Sequence, residues 1–426
     1  MPRFSTADHI ILKSIAWEPE KPAERINDHI VMSRSTSNAY VVTHTEGDVV
    51  INTGTPYQGA RTRERFEQLL ARPLNVSKIV FTQSHPDHIG GWASFAGPST
   101  ETIVQREFPR ISRERKLLAP YFQPRSARVL KAMTPKKEHA DAWYSGTRDP
   151  APLTLFADRY DFSVGGRRFE LISAPSGETL DSLLVWLPAE RTLATGNWAG
   201  AIQGALPNFY TARGDRDRSV VGWLGEVDAV ISLRPEIVIT GHDEPLVGAD
   251  HIAAYFTKIR DAVRFIHDET VKGMNAQKDL WTLMNEIRLP PELATVPGRS
   301  PVSWYVRAVW EEYTGWFRGE STTELYAIPE RTIWPELTQL AGGTDALLDA
   351  ARRRLAAGQP VEALHFLDIA ISASPHDRAV RETQIAALEA LIEANGGKIF
   401  DELGWLENAI AEARAQSQAI VPVDSH

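Results

Sequence analysis

Two textures divide the 426 residues, and the first of them sets the limits on the fold. Up to about residue 265, short apolar runs rich in β-branched residues alternate with turns and helical stretches, as in "AYVVTHTEGDVVINTG", "SKIVFTQ", "RRFELISAP", "SLLVWLP", "RTLATGN" and "PEIVITGH". Runs of this length bounded by turn residues read as strands, which makes the first part α/β. Hairpin turns are predicted at Glu46-Gly47-Asp48 and at Gly165-Gly166, so neighbouring strands are partly antiparallel. A sandwich therefore suits the chain better than a purely parallel doubly wound sheet. From 266 onward apolar residues fall three and four apart with hardly a strand candidate, and residues 344–397 read as three helices. Gly358 and Pro360 separate the first two, Ser374-Pro375 caps the third, and Asn395-Gly396-Gly397 ends it. Their spacing resembles a tetratricopeptide helix pair. The expected domains are 1–265, an α/β catalytic domain, and 266–426, an all-helical one.

Composition narrows the function. Hydrophobic residues make up 43% and charged residues 24% of the chain, an ordinary globular balance. A net charge of −9 argues against nucleic acid, whose binders concentrate Lys and Arg against phosphates; the locally basic stretch from Arg106 to Lys137 reads as a solvated helical face. With no cysteine present, disulfides and thiolate ligands are excluded, and any metal must be held by His, Asp or Glu. Neither a signal peptide nor a membrane span is visible, and the location expected is cytoplasmic.

The chemistry gathers after the strand around Lys78–Thr82. The loop "QSHPDHIGG" carries His85, Asp87 and His88 before the glycine pair lets a helix start close against the sheet. A carboxylate and imidazoles on one tight turn suit zinc or a similar divalent ion.

"TQSHPDHIGG" resembles the T-H-x-H-x-D-H-x-G-G signature of the metallo-β-lactamase superfamily, an αββα sandwich with metals at one edge. "VVINTG", "LATGNWAG" and "VITGHDEP" resemble its later landmarks in order, so that the likeness covers most of residues 30–250. Glu178, in "APSGETLDSLLVWLP", stands where most members place a histidine, a replacement typical of the alkylsulfatases. "LPNFYTARG" is similar to the alkylsulfatase stretch N-L-Y-T-x-R-G, which implies a sulfate held by Asn208 and Arg213, with Tyr210 in the pocket or in the core. "RAVWEEYTGWFRGESTTELYAIP" and the helices after it resemble that family's dimerisation domain, which implies a homodimer through the helical region, on apolar faces such as Leu364, Leu367 and Ile371. The family's sterol-carrier-like C-terminal domain, thought to help gather apolar substrate, has no counterpart here, and the likeness does not extend to long-chain alkyl sulfates.

Departures from the family pattern are specific. The first-site positions read Gln83, His85, Glu178 and Asn197; the second-site positions read Asp87, His88, His242 and Asn197; and Asn52 replaces the acid of the first motif. An amide oxygen is a weak zinc ligand beside carboxylate or imidazole. A single zinc is therefore expected at Asp87, His88 and His242, the usual count for a catalytic site with one open position. The other arrangement, His85 and Glu178 with Gln83, offers only two strong ligands. His85 and Glu178, freed from ligation, would act as general acid or base, and Gln83 would offer its amide N–H to a substrate oxygen. Arg213 would pair with an anionic group through its planar fork; a salt bridge to Asp215 or Asp217 is the competing reading. Trp198, Trp304 and Trp310 line an apolar pocket or pack in the core.

The function expected is metal-dependent hydrolysis of a small anionic substrate, a sulfate ester by resemblance. Phosphate esters, lactones or aryl halides are the alternatives, as is a degenerate member that binds a ligand without turnover. No nucleic-acid or membrane partner is expected.

Overall fold

A computed structural model describes residues 4–14, 21–130, 150–214 and 218–418. The basic residues from Lys131 to Lys137, and Asp215 and Asp217 beside Arg213, lie outside the described residues. The chain forms two compact units. One comprises residues 10–127 and 133–313, the other residues 1–9, 128–132 and 314–426.

The larger unit is a sandwich of two sheets. Seven strands build the first in sequence order: β1 Glu24–Arg25, β2 Ile30–Ser33, β3 Ala39–Val42, β4 Asp48–Ile51, β5 Val76–Val80, β6 Glu101–Gln105 and β7 Leu153–Phe156. The second follows with β8 Arg159–Val164, β9 Arg167–Ser173, β10 Leu183–Leu187, β11 Thr192–Gly196, β12 Ile237–Thr240 and β13 Leu246–Val247. Both predicted hairpins are present, β3 with β4 and β8 with β9. At the second turn Gly165 and Gly166 both take positive φ, 53° and 82°, the conformation a two-residue hairpin requires. β4, β5, β6 and β7 run parallel, as do β11 and β12.

Alternation along the strands explains the layers. Because successive strand residues point to opposite faces, Tyr40 and Val42 of β3 enter the core between the sheets while Ala39 and Val41 face the other way. The same division sends Val185 and Leu187 inward and Leu184 and Trp186 outward on β10. Helix Gly59–Leu70 covers the outer face of the first sheet through Phe66. Helices Val220–Leu233, Ala249–Asn275, Leu280–Glu286 and Val302–Thr314 cover the second sheet through residues such as Val227, Phe256, Leu283 and Val309. The result is the αββα sandwich expected. Residue 265, where the texture changes, falls inside the Ala249–Asn275 helix, and the helices from 249 to 313 belong to the sandwich unit.

The smaller unit is helical. The three expected helices are Thr344–Ala356, Pro360–Ala373 and Arg378–Asn395, followed by Phe400–Gln418. Asp377, rather than Ser374-Pro375, caps the third: its side chain accepts from the Val380 N–H at 3.0 Å. Gly396 closes that helix at φ 61°. Leu364, Leu367 and Ile371 turn inward against Leu348 and Val380 in this unit's own core, which corrects the expectation that they form an exposed face. Trp198 is likewise core, fully buried and stacked on Trp223 at 5.4 Å. Trp310 packs half-buried against that cluster, and Trp304 is half-buried.

One close approach positions the ligand-bearing loop. A Cβ on Gly91 would lie 2.2 Å from the Thr53 carbonyl oxygen and 2.7 Å from Gly59 Cα. Gly91→Ala should therefore push the loop after β5 away from the loop after β4 and lower the unfolding free energy by about 1–3 kcal/mol, the usual cost of overpacking. Urea denaturation checks this; an unchanged midpoint would mean the loops part freely.

Candidate metal centre

Loops at the carboxyl ends of strands from both sheets meet at one edge of the sandwich, and backbone hydrogen bonds join them. Leu183 N–H donates to the Thr82 carbonyl at 2.9 Å, Asn38 N–H to Gly241 at 2.7 Å, Gly241 N–H to Gly196 at 2.8 Å, and Thr53 N–H to His88 at 2.7 Å. The ends of β4, β5, β11 and β12 and the β2–β3 and β9–β10 connections are thereby held in register.

Asp87 and His88 sit on the one-turn helix Pro86–Ile89, and His242 follows β12. Their candidate ligand atoms all lie within 4.8 Å of one another. His88 Nε2 is 3.4 Å and His242 Nε2 3.6 Å from Asp87 Oδ2, and the two rings stand edge to face with centroids 5.5 Å apart. His242 Nδ1 lies 2.6 Å from the Thr36 carbonyl oxygen. A carbonyl only accepts, so the hydrogen sits on Nδ1 and the lone pair on Nε2 faces Asp87. His88 Nε2 is buried with no hydrogen-bond partner among the described residues, the kind of orphan a ligand would satisfy. Donor types and spacing fit a divalent ion such as zinc.

Burial disfavours a charged ring at His88 and at His85. Burial pushes the His88 ring down to about 4, against the attraction of Asp87. Burial opposes ionisation of Asp87, yet the imidazoles of His88, His242 and His85 hold its carboxyl below the usual range. His85 is held well below its ordinary value by burial first and by the Arg213 charge second.

The remaining predicted residues form a second cluster. Asn197 N–H donates to Gln83 Oε1 at 3.1 Å, which fixes the amide and turns its nitrogen to His85 Nδ1, 2.9 Å away. With that donor on Nδ1, the neutral His85 ring carries its hydrogen on Nε2. Glu178 Oε1 lies 3.3 Å from the same Nδ1. Gln83 thus has both amide ends engaged in joining β5 to β11 and orienting His85, where a donor aimed at substrate had been expected. Asn197 Oδ1 and Asn208 Oδ1 are buried without hydrogen-bond partners among the described residues. Arg213 is half-buried, with its carbonyl accepting from Arg125 Nε at 3.1 Å. Tyr210 is set apart by its hydroxyl, which lies 3.1 Å from Glu311 Oε2.

Two supporting residues escaped the sequence reading. Buried Arg218 donates to the Glu178 carbonyl through Nε and to the Asn208 carbonyl through Nη1 at 2.6 Å, and its Nη2 stands 3.6 Å from Glu178 Oε1. In "RGDRDR" nothing distinguishes it from a surface charge. Glu226 accepts from Ser176 N–H at 3.1 Å and from the Trp198 indole at 2.6 Å, and burial pushes its carboxyl up. Its signal was legible: an acid inside the apolar run "VVGWLGEVDAVISL".

Comparison with known proteins places these residues in a family. Residues 33–242 match the metallo-beta-lactamase superfamily and residues 282–398 match alkyl sulfatase dimerisation. A linear primary-alkylsulfatase of a Pseudomonas strain is 27% identical over 373 residues, covering 81% of this chain and 68% of that protein. An alkyl/aryl-sulfatase of Saccharomyces cerevisiae is 24% identical over 88% of this chain and 64% of its own. An (R)-specific secondary-alkylsulfatase of Pseudomonas is 24% identical over 83% and 57%. The chain thus spans about two thirds or less of the length of these relatives. The solved structure of a stereoselective inverting sec-alkylsulfatase from Pseudomonas superimposes with a TM-score of 0.77 at 22% identity, over 94% of this chain and 66% of that one. In fold and in the order of its motifs, the chain carries a metallo-beta-lactamase superfamily domain followed by an alkyl sulfatase dimerisation region.

Proposed function

We propose that the chain is a metal-dependent hydrolase that holds one zinc through Asp87, His88 and His242 and cleaves small sulfate esters. The observation that carries this reading is the convergence of those three donors beside His85, Glu178 and Arg213, which stand outside that ligand set. Alkylsulfatase names among the relatives support the substrate class. Zinc, when bound, supplies Lewis acidity and lowers the pKa of ligated water toward neutrality.

The protein's own groups do the rest. Glu178 takes a proton from the attacking water, and the Arg218 guanidinium beside it balances the charge. His85 offers Nε2–H to the oxygen on which charge develops; a neutral imidazole held as a donor is a known device for polarising such a group. Arg213 grips the sulfate with two of its N–H groups in parallel, and Asn208 adds a hydrogen bond. Gln83, Asn52 and Asn197 contribute no negative charge to repel an anionic ester. Tyr210, held by Glu311, packs against the core beside the second sheet.

We also propose a homodimer. Between the sandwich and the helical repeat, residues 314–340 expose Trp316 (75%), Tyr326 (66%), Ile328 (70%) and Leu340 (84%), more apolar surface than a solitary chain ordinarily leaves to water. The matched dimerisation region spans this segment.

Chelator-treated protein should take up one zinc per chain on titration and release sulfate from a short alkyl sulfate only when loaded. Arg213→Lys should lower kcat/KM at least tenfold with zinc uptake unchanged, because charge is kept and the bidentate geometry lost. Two tight zincs per chain, or no sulfate release from any alkyl sulfate, overturns the reading. Light scattering should give the mass of two chains at micromolar concentration, and Trp316→Glu with Leu340→Glu should give one; a wild-type monomer removes the dimer.

A further inference from the structure

Asn52 follows β4 in the left-handed conformation, φ 59°, which asparagine tolerates better than most residues. Its amide cannot choose its orientation. Thr82 N–H donates to Oδ1 at 3.0 Å, and a backbone N–H can only donate, so the atom facing His88 is Nδ2. That nitrogen lies 3.0 Å from Thr82 Oγ1 and 3.1 Å from His88 Nδ1. An NH₂ group has no lone pair to offer, and His88 Nδ1 must therefore accept. The ring's hydrogen is left on Nε2, the nitrogen that points to Asp87 Oδ2.

His242 shows the opposite case within the same cluster. The Thr36 carbonyl takes its Nδ1–H, and its Nε2 presents a lone pair. A ligating histidine ordinarily donates its other N–H to a carboxylate or carbonyl, which fixes the tautomer that binds. His242 has that partner. His88 has its inverse.

Resting on the reading of Asp87, His88 and His242 as the metal-holding set, we propose that Asn52 is a positioning residue that locks His88 in the tautomer whose hydrogen occupies the metal-facing nitrogen. The centre then holds zinc more weakly than its three donors alone would dictate, and loading requires the amide to release His88. Outer-shell partners of ligating histidines change affinity by about ten- to a hundredfold, and this amide acts in the unfavourable direction.

The test uses the full chain, freed of metal by a chelator, with zinc affinity measured by competition against a chromophoric chelator. Asn52→Asp keeps the acceptor for Thr82 N–H and adds one for His88 Nδ1–H; it should bind one zinc at least tenfold more tightly than wild type. Asn52→Gly suits the left-handed backbone and removes the donor without adding charge; it too should bind more tightly. Nitrogen-15 spectra of histidine-labelled, zinc-free protein, with His88 assigned through His88→Gln, should place the wild-type hydrogen on Nε2, a readout that needs no variant at position 52. Equal affinities, a gain confined to Asn52→Asp, or an Nδ1–H tautomer in wild type each overturns the role given to Asn52. Zinc binding by none of the proteins overturns the metal reading itself and the effect on affinity with it, whereas the tautomer spectrum separates that failure from an error about the amide.

Discussion

The hydrogen bond from Asn197 N–H to the Gln83 side-chain oxygen ties the loop after β5 to the loop after β11, and the geometry of the whole site depends on that tie. Backbone pairs such as Leu183 to Thr82 and Asn38 to Gly241 set the register at this edge, and side-chain bonds such as Ser84 Oγ to Asp181 Oδ1 and His242 Nδ1 to the Thr36 carbonyl cross it too, but the Asn197 bond is the one that aims Gln83 at His85. The tie also removes the ambiguity of an amide. Once its oxygen is claimed by a backbone donor, the nitrogen must face His85, and the proton position on that ring follows.

A single rule thus governs both clusters: a backbone N–H orients an amide, and the amide then decides which imidazole nitrogen carries hydrogen. At Gln83 the rule leaves His85 a donor at Nε2, which suits an anionic substrate. At Asn52 it leaves His88 a donor where the cluster calls for an acceptor. Burial strengthens both outcomes by keeping the rings neutral, since charging either inside the sandwich edge costs solvation that Asp87 alone does not return.

Much of the fold was legible because short apolar runs bounded by turns mark buried strands. Continuous apolar runs such as "AYVV" and "LLVWL" specified strands covered on both faces, and turn glycines marked the hairpins. Signature spacing also placed Asp87, His88 and His242 together. What the sequence could not carry was direction. Leu364, Leu367 and Ile371 recur at helical spacing whether the helix faces a partner or its neighbour, and only the packing of three helices decides between them. Arg218 looked like its charged neighbours because burial is not written in a run of alternating charges. The function of an amide such as Gln83 is less legible still: it depends on which of two similar atoms meets a backbone N–H from a residue more than a hundred positions away.

The loops that carry the chemistry owe their rigidity to a carboxylate outside the site. Glu226 reaches from the Val220–Leu233 helix to Ser176 N–H, two residues before Glu178, and to the indole of Trp198, one residue after Asn197. A Cβ on Gly177 would fall 2.3 Å from the Trp198 carbonyl oxygen, so the two loops are in contact at the point where Glu226 grips them. Arg218, just before the same helix, fixes the far side of the Glu178 loop and the Asn208 carbonyl. One helix therefore sets the separation of Glu178, in the connection after β9, from Asn197 and Asn208, both in the connection after β11. Positioning catalytic loops from a packed helix, through buried charged hydrogen bonds that are costly to break, gives the site a precision that surface loops lack on their own.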